Sequence, residues 1–224
     1  MQIEFKHIQE FSEKIFDKVN GYREYLHRNP ELSYKEFNTS KFVSEKLSDI
    51  GIDNSFIGGT GVVGLIYGSH HDKNDSCIAL RADLDALPIQ EENEVSYKSQ
   101  NDGVMHACGH DVHTSVLLGT AEILYHFRNH LPRPVKLIFQ PGEEQNPGGA
   151  TYIINDGGLE NPKVLKMMAL HVFPDLEYGH FGFREGLYMA SCDELHIEIQ
   201  GLGGHGALPE RTINPLFMGA EFVI

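Results

Sequence analysis

The chain has 224 residues, 41% of them hydrophobic, enough to bury a sizeable core in one large domain or in one domain and part of a second. Its 32 acidic residues against 18 basic ones leave a formal charge of -14, which repels phosphate backbones and anionic membrane surfaces alike; nucleic acid and membrane are therefore not expected as partners. An anionic substrate would need local positive charge from a metal or from a few Arg and His side chains.

The opening segment, MQIEFKHIQEFSEKIFDKV, is polar and mixed in charge, without the basic start and apolar run of a secretory signal, and no apolar stretch approaches membrane-spanning length. The expected compartment is the cytoplasm. Cys77, Cys108 and Cys192 are widely spaced and odd in number, which suits free thiols or a metal ligand rather than a disulfide framework. Ile8, Phe11, Ile15, Phe16 and Val19 recur at helical spacing, as do Phe37, Phe42, Val43 and Leu47 before Gly51; LHRNPELS between them reads as a turn around Pro30.

From Gly61 the texture changes to short apolar runs bounded by turn residues: GVVGLIYG, CIALRAD, PVKLIFQPGEE and KMMALHVFP. These predict buried strands. HTSVLLGTAEILYHFR and GGATYIINDGG carry helical patterns between the last three runs, so strands alternate with helices. The expected fold class is α/β, a mixed, largely parallel sheet with helices on both faces. Near Gly186 the pattern changes again: CDELHIEIQGLGG alternates apolar and polar residues as a half-exposed strand does. We therefore expect one domain over 1–185 and the start of a second over 186–224. Asn214 as N-cap and Pro215 at the first helical position open a final helix that reaches Ile224 without a stop signal, so the expected reading is a truncated chain.

In open α/β sheets ligands bind beyond the carboxyl ends of the strands. CIAL exits into Arg81, Asp83 and Asp85, KLIFQ into Glu143 and Glu144, MMAL into His171, and IEIQ through glycines to His205; between the first two lies HACGHDVH, with His106, Cys108, His110, Asp111 and His113. Cys108 and His110 flank Gly109, and a thiolate plus an imidazole from one tight turn suits a divalent ion of zinc type, although a buried Cys beside surface histidines reads the same way. Adjacent side chains diverge, so one of Glu143 and Glu144 can bind a metal while the other faces a water as general base; a solvated loop is the bland alternative. His171 alone equally reads as a core histidine, and Asp83 and Asp85 as caps or turn formers. Their convergence on one sheet edge is hard to explain as packing.

Taken in order, LHRNPELSYKE, ALRADLDALPIQE, GVMHACGHDVHTSVLLG, LIFQPGEEQNPGGA, MMALHVFP and GLGGHGALPERTINP resemble the M20 metallopeptidase family, in its hippurate hydrolase and N-acyl-amino-acid amidohydrolase branch. The resemblance implies a catalytic domain with two divalent ions (Zn, Mn, Co or Ni) bound by Cys108, His110, Glu144 and His171, with Glu143 as general base and acid. It implies hydrolysis of the amide of N-acetyl, N-benzoyl or other N-acyl amino acids. An inserted smaller domain would form a homodimer and carry His205 toward a partner's active site to stabilise the oxyanion. Asp83 is expected in a supporting role, orienting a ligand, because Arg81 stands where other branches have a metal-binding His; Asp111 and His113 are assigned to support or helix capping. Cys77 and Cys192 are expected to have no catalytic role. The family continues well past this length with one further histidine ligand, so the chain alone is expected to be weakly active or inactive, with a binding fragment or an interaction remnant as the alternatives.

Overall fold

A computed structural model describes residues 3–72, 75–190 and 193–224. Cys192 lies outside the described residues. The chain divides into two compact units, Met1–Pro174 and Asp175–Ile224. The boundary expected at 185/186 rested on a change in apolar texture, whereas the compact division follows the end of the last sheet strand.

The first unit opens with two helices, α1 (Phe5–Arg28) and α2 (Phe37–Ile50). Glu31 caps α2 from outside: its carboxylate accepts the N–H groups of Asn38 at 3.2 Å and Thr39 at 2.8 Å, donors that the first helical turn cannot satisfy itself. Then follow β1 (Asp53–Ile57), β2 (Gly61–Ile66), β3 (Cys77–Asp83), α3 (His110–His126), β4 (Val135–Gln140), α4 (Gly149–Asn155) and β5 (Val164–Ala169). The strands form one sheet in the order β1-β2-β4-β3-β5. β1 and β2 pair antiparallel, as do β2 and β4, while β3 runs parallel to both β4 and β5. The sheet is mixed, and its parallel half, β4-β3-β5, sends three strand ends to the same edge.

β4 is buried at every position, which is why VKLIFQ is apolar almost throughout. Leu137 and Phe139 face one way, into a core with Val43 and Leu47 of α2 and Leu117, Leu118 and Ala121 of α3. Ile138 faces the other way, against Ala79 and Ile153 of α4, so helices cover both faces. Lys136, also on that second face, is tolerated because its ammonium donates to the carbonyls of Gly158, Glu160 and Pro162 at 3.0, 2.7 and 3.0 Å.

In the second unit, α5 (Pro215–Val223) begins as expected: the Asn214 side chain accepts the Leu216 N–H at 2.9 Å. The strand expected over 192–204 does not form in its described part, 193–204. Residues 193–200 carry no regular structure, and the single pairing nearby is an antiparallel bridge between Leu202 and Ile213. Alternation favours a strand only where a neighbour accepts its backbone groups, and among the described residues none lies beside 193–200. Among the described residues no helix is long and apolar enough to cross a membrane.

Phe139 is fully enclosed between the sheet and its helices. Phe139→Ala is expected to cost roughly 3–5 kcal/mol in urea unfolding, from lost transfer energy plus the cavity left behind. A cost below about 1 kcal/mol would mean that this layer is not the core.

Candidate metal centre

Each ligand-type side chain sits where an element stops. α3 starts at His110 because Gly109 turns the chain with φ +85°, and a Cβ there would collide with Val172, so the Cys108-Gly109-His110 turn is pressed onto the segment leaving β5. β4 ends at Gln140 and the chain turns through Pro141 and Gly142 to Glu143 and Glu144; β5 ends at Ala169, two residues before His171. Ligand atoms of Cys108, His110 and His171 lie within 4.8 Å of one another, and so do those of His110, Glu143 and Glu144. His110 belongs to both groups and is the hub.

Hydrogen bonds set which ring nitrogen each histidine offers. His110 Nδ1 is 2.8 Å from the Asp85 carbonyl oxygen, which can only accept, so Nδ1 carries a proton and, in the neutral ring, Nε2 holds the lone pair. His171 Nδ1 donates likewise to the Val172 carbonyl at 2.6 Å, turning Nε2 toward Cys108 Sγ at 3.4 Å. His110 Nε2 is 3.7 Å from Glu144 Oε1 and 3.9 Å from Glu143 Oε2. Both His110 Nε2 and Glu144 Oε1 are buried with no hydrogen-bond partner, an arrangement that costs free energy unless something between them binds both.

The charge balance has the same sense. Burial, and then the negative charge of Glu144, push the Cys108 thiol up to about 12. Burial and Glu144 also raise the pKa of Glu143. For His110, burial opposes the imidazolium, but Asp85, Asp83 and Glu144 outweigh it and raise the pKa. A cation among these groups would reverse the penalty on the thiolate and the carboxylates together, and a set of one thiol, two imidazoles and two carboxylates fits a divalent ion of borderline softness.

Asp83, His110 and His113 also approach closely, but both His113 nitrogens are taken. Nδ1 bonds Asp83 Oδ1 at 2.6 Å, and Nε2 accepts the Val172 N–H at 3.0 Å. His113 thus braces the residue that follows His171. The second Asp83 oxygen accepts from Arg81 Nη1 at 2.6 Å, while Arg81 Nε donates to Gln140 at 3.0 Å, so this cation is spent on holding Asp83. Burial opposes ionisation of Asp83, yet His113 and Arg81 pull its pKa well below the usual carboxylate range.

The remaining expected residues of the first unit do not join these groups. Asp111 points away, to Arg23 Nε at 3.0 Å and His27 Nδ1 at 2.8 Å, and caps nothing. His106 is buried with neither ring nitrogen bonded, and burial lowers its pKa to about 4. Cys77 is buried in β3, its thiol donating to the Pro162 carbonyl. His205 belongs to the second unit, where its Nδ1 accepts the Ala207 N–H at 3.1 Å.

A model of peptidase family M20/M25/M40 matches residues 79–221, from β3 into α5, and so spans every strand exit described above. The chain belongs to this family. It is 40% identical over 217 residues to an N-acyl-L-amino acid amidohydrolase of Geobacillus stearothermophilus, covering 96% of this chain and 57% of that protein. It is also 40% identical to the N-acetyl-L-cysteine deacetylase of Bacillus subtilis, over 91% of this chain and 48% of the relative. The crystal structure of the Bacillus subtilis YXEP protein, described as a dinuclear metal-binding peptidase from the M20 family, superposes with a TM-score of 0.71 at 38% identity, covering 80% of this chain and 48% of that one. The chain spans about half the length of these M20 relatives.

Sequence reading missed two features of this M20 site. Asp85, placed at the strand exit but read as a cap or turn former with no role assigned, accepts from the Glu144 N–H at 3.0 Å and from Ser33 at 2.6 Å, and its own carbonyl fixes His110. The second is a buried ion cluster beneath the α3 start, where His27 bridges Asp111 and, through Nε2 at 3.2 Å, Glu91. Its one signal in the sequence is LHRNPE, polar residues at the end of an amphipathic helix. Both His27 nitrogens face carboxylates, so the ring is a buried imidazolium; the Asp111 hydrogen bond raises its pKa against the effect of burial. Asp111 and Glu91 are lowered, burial being outweighed by hydrogen bonds from His27 and, for Glu91, the Ser99 N–H. The carboxylate contribution is lost as pH falls below about 4, and the His27 contribution is lost as pH rises above its unfolded value of about 6.5 and through the raised folded one. His27→Ala is expected to cost on the order of 3 kcal/mol near pH 6 and to flatten the alkaline decline in urea midpoint. An alkaline decline identical to that of the wild type would contradict this account.

Proposed function

We propose that this chain carries the catalytic site of a metal-dependent amidohydrolase acting on N-acyl amino acids, with acetyl and benzoyl as the acyl groups considered first. The observation that carries the reading is the pair of buried, partnerless atoms, His110 Nε2 and Glu144 Oε1, set at one sheet edge beside Cys108, His171 and Glu143. Support for the substrate class comes from the names of the relatives, an N-acyl-L-amino acid amidohydrolase and an N-acetyl-L-cysteine deacetylase.

In this reading Cys108, His110, Glu144 and His171 hold two divalent ions, for which Zn, Mn, Co and Ni all suit the donors. When bound, such ions supply Lewis acidity and an acidified water. Glu143 is the more exposed of the two glutamates, its side chain 42% accessible against 23% for Glu144, which leaves Oε2 free to take a proton from that water. Its pKa, raised first by burial and then by Glu144, suits a carboxylate that must also return the proton, here to the leaving amine nitrogen. Asp83 and His113 steady His171 through Val172, and Asp111 anchors the α3 start to α1. His205 is assigned to the oxyanion, in a homodimer that brings it to the other subunit's site. The segment 186–224 would be the beginning of that dimerising domain.

The test measures metal stoichiometry and release of free amine from N-acetyl and N-benzoyl amino acids. Glu143→Gln should keep the metal and lose at least about 100-fold in rate, whereas Cys108→Ala should lose metal and rate together. Amide cleavage that survives chelation, or a fully active Glu143→Gln, contradicts the proposal. Metal bound by the wild-type chain without turnover supports the binding-only alternative.

A further inference from the structure

The loop 141–148 that carries Glu143 and Glu144 is held by a segment far from it in sequence. Glu36 is fully buried and sits at the N-cap of α2, yet makes no cap bond of its own, because Glu31 caps that helix instead. Its carboxylate reaches across to the loop: Oε1 accepts the Gly142 N–H at 2.7 Å, and Oε2 accepts the Thr60 hydroxyl at 2.5 Å. Tyr34 adopts φ +63°, uncommon for a residue with a side chain, and this aims its ring at the same loop. The Tyr34 hydroxyl donates to the Gln145 carbonyl at 2.6 Å and accepts the Gly148 N–H at 3.1 Å. Gly142, at φ +54°, lies against that ring so closely that a Cβ would overlap it. Ser33 completes the set through Asp85, whose Oδ2 also receives the Glu144 N–H.

Side chains of Ser33, Tyr34 and Glu36, directly or through Asp85, thus hold backbone groups at 142, 144, 145 and 148. A loop of this length would otherwise leave those groups to water and its glutamates free to wander. We propose that Tyr34 and Glu36 are positioning residues that hold Glu143 and Glu144 in place before any ligand arrives, an inference that rests on the metal-site reading above. They touch neither the candidate ligand atoms nor any reacting group. Their effect runs entirely through the backbone of 142–148.

The test uses Tyr34→Phe, which removes two hydrogen bonds and keeps the ring, and Glu36→Met, which keeps the length of the side chain and removes both acceptors. Hydrogen exchange on the metal-free chain should show the amides of Gly142, Glu144 and Gly148 exchanging roughly tenfold faster or more in each variant, with Leu137 and Phe139 of β4 unchanged. Titration with Co²⁺, followed by the thiolate charge-transfer band of Cys108, should show affinity falling roughly tenfold or more. Loop amides that exchange at the wild-type rate in Tyr34→Phe overturn the inference, as does acceleration spread equally over β4, which would mean general destabilisation. Should the wild type bind no Co²⁺, the metal reading fails, and the exchange data still decide whether Tyr34 and Glu36 fix the loop.

Discussion

The Asp85 carboxylate, 1% exposed, is the point on which the site depends. A buried charge of this kind survives only where donors surround it. Here the Ser33 hydroxyl and the Glu144 N–H both donate to Oδ2, Oδ1 is buried without a hydrogen bond, and the Asp85 carbonyl takes the His110 proton. Burial opposes its ionisation, but His110, Ser33 and the backbone N–H groups at Glu144 and Glu143 hold its pKa below the usual range. One residue at the exit of β3 therefore fixes a histidine on α3 and a glutamate after β4 relative to each other. The parallel pairing of β3 with β4 is what makes this short reach possible.

Around that anchor the site holds a surplus of negative charge that its own residues do not neutralise. Arg81 is a fixed cation beside Glu143, and it is committed to Asp83 and Gln140. The raised pKa values of Cys108, His110 and Glu143 are three expressions of one condition, a partly buried cluster of donors around His110 that holds more negative than positive charge. The histidine tautomers match, since each turns Nε2 inward by donating Nδ1–H to a carbonyl. Preorganisation of this kind lets a site bind without first rearranging.

Much of this was legible in the sequence because the signals were local. The apolar runs of β2 to β5, the Cys-Gly-His turn and the Asn214-Pro215 helix start each depend on a few adjacent residues. Asp85, Glu36 and His27 were not legible, because their roles are set by partners between 24 and 106 positions away. Nothing local distinguishes Glu36 from Glu31, and only the fold reveals that Glu36 serves another loop while Glu31 caps α2. The strand expected over 192–204 failed for the related reason that alternation describes a face and not the neighbour that must complete it.

The central claim, that strand exits bring one thiol, imidazoles and a carboxylate around a divalent ion, is tested most directly by zinc-edge X-ray absorption on the zinc-loaded chain. The account predicts a mixed shell, with one sulfur from Cys108 at about 2.3 Å and nitrogen or oxygen donors at about 2.0–2.2 Å, the sulfur contribution vanishing in Cys108→Ala. A shell of nitrogen and oxygen alone in the wild type, unchanged by that substitution, would contradict it.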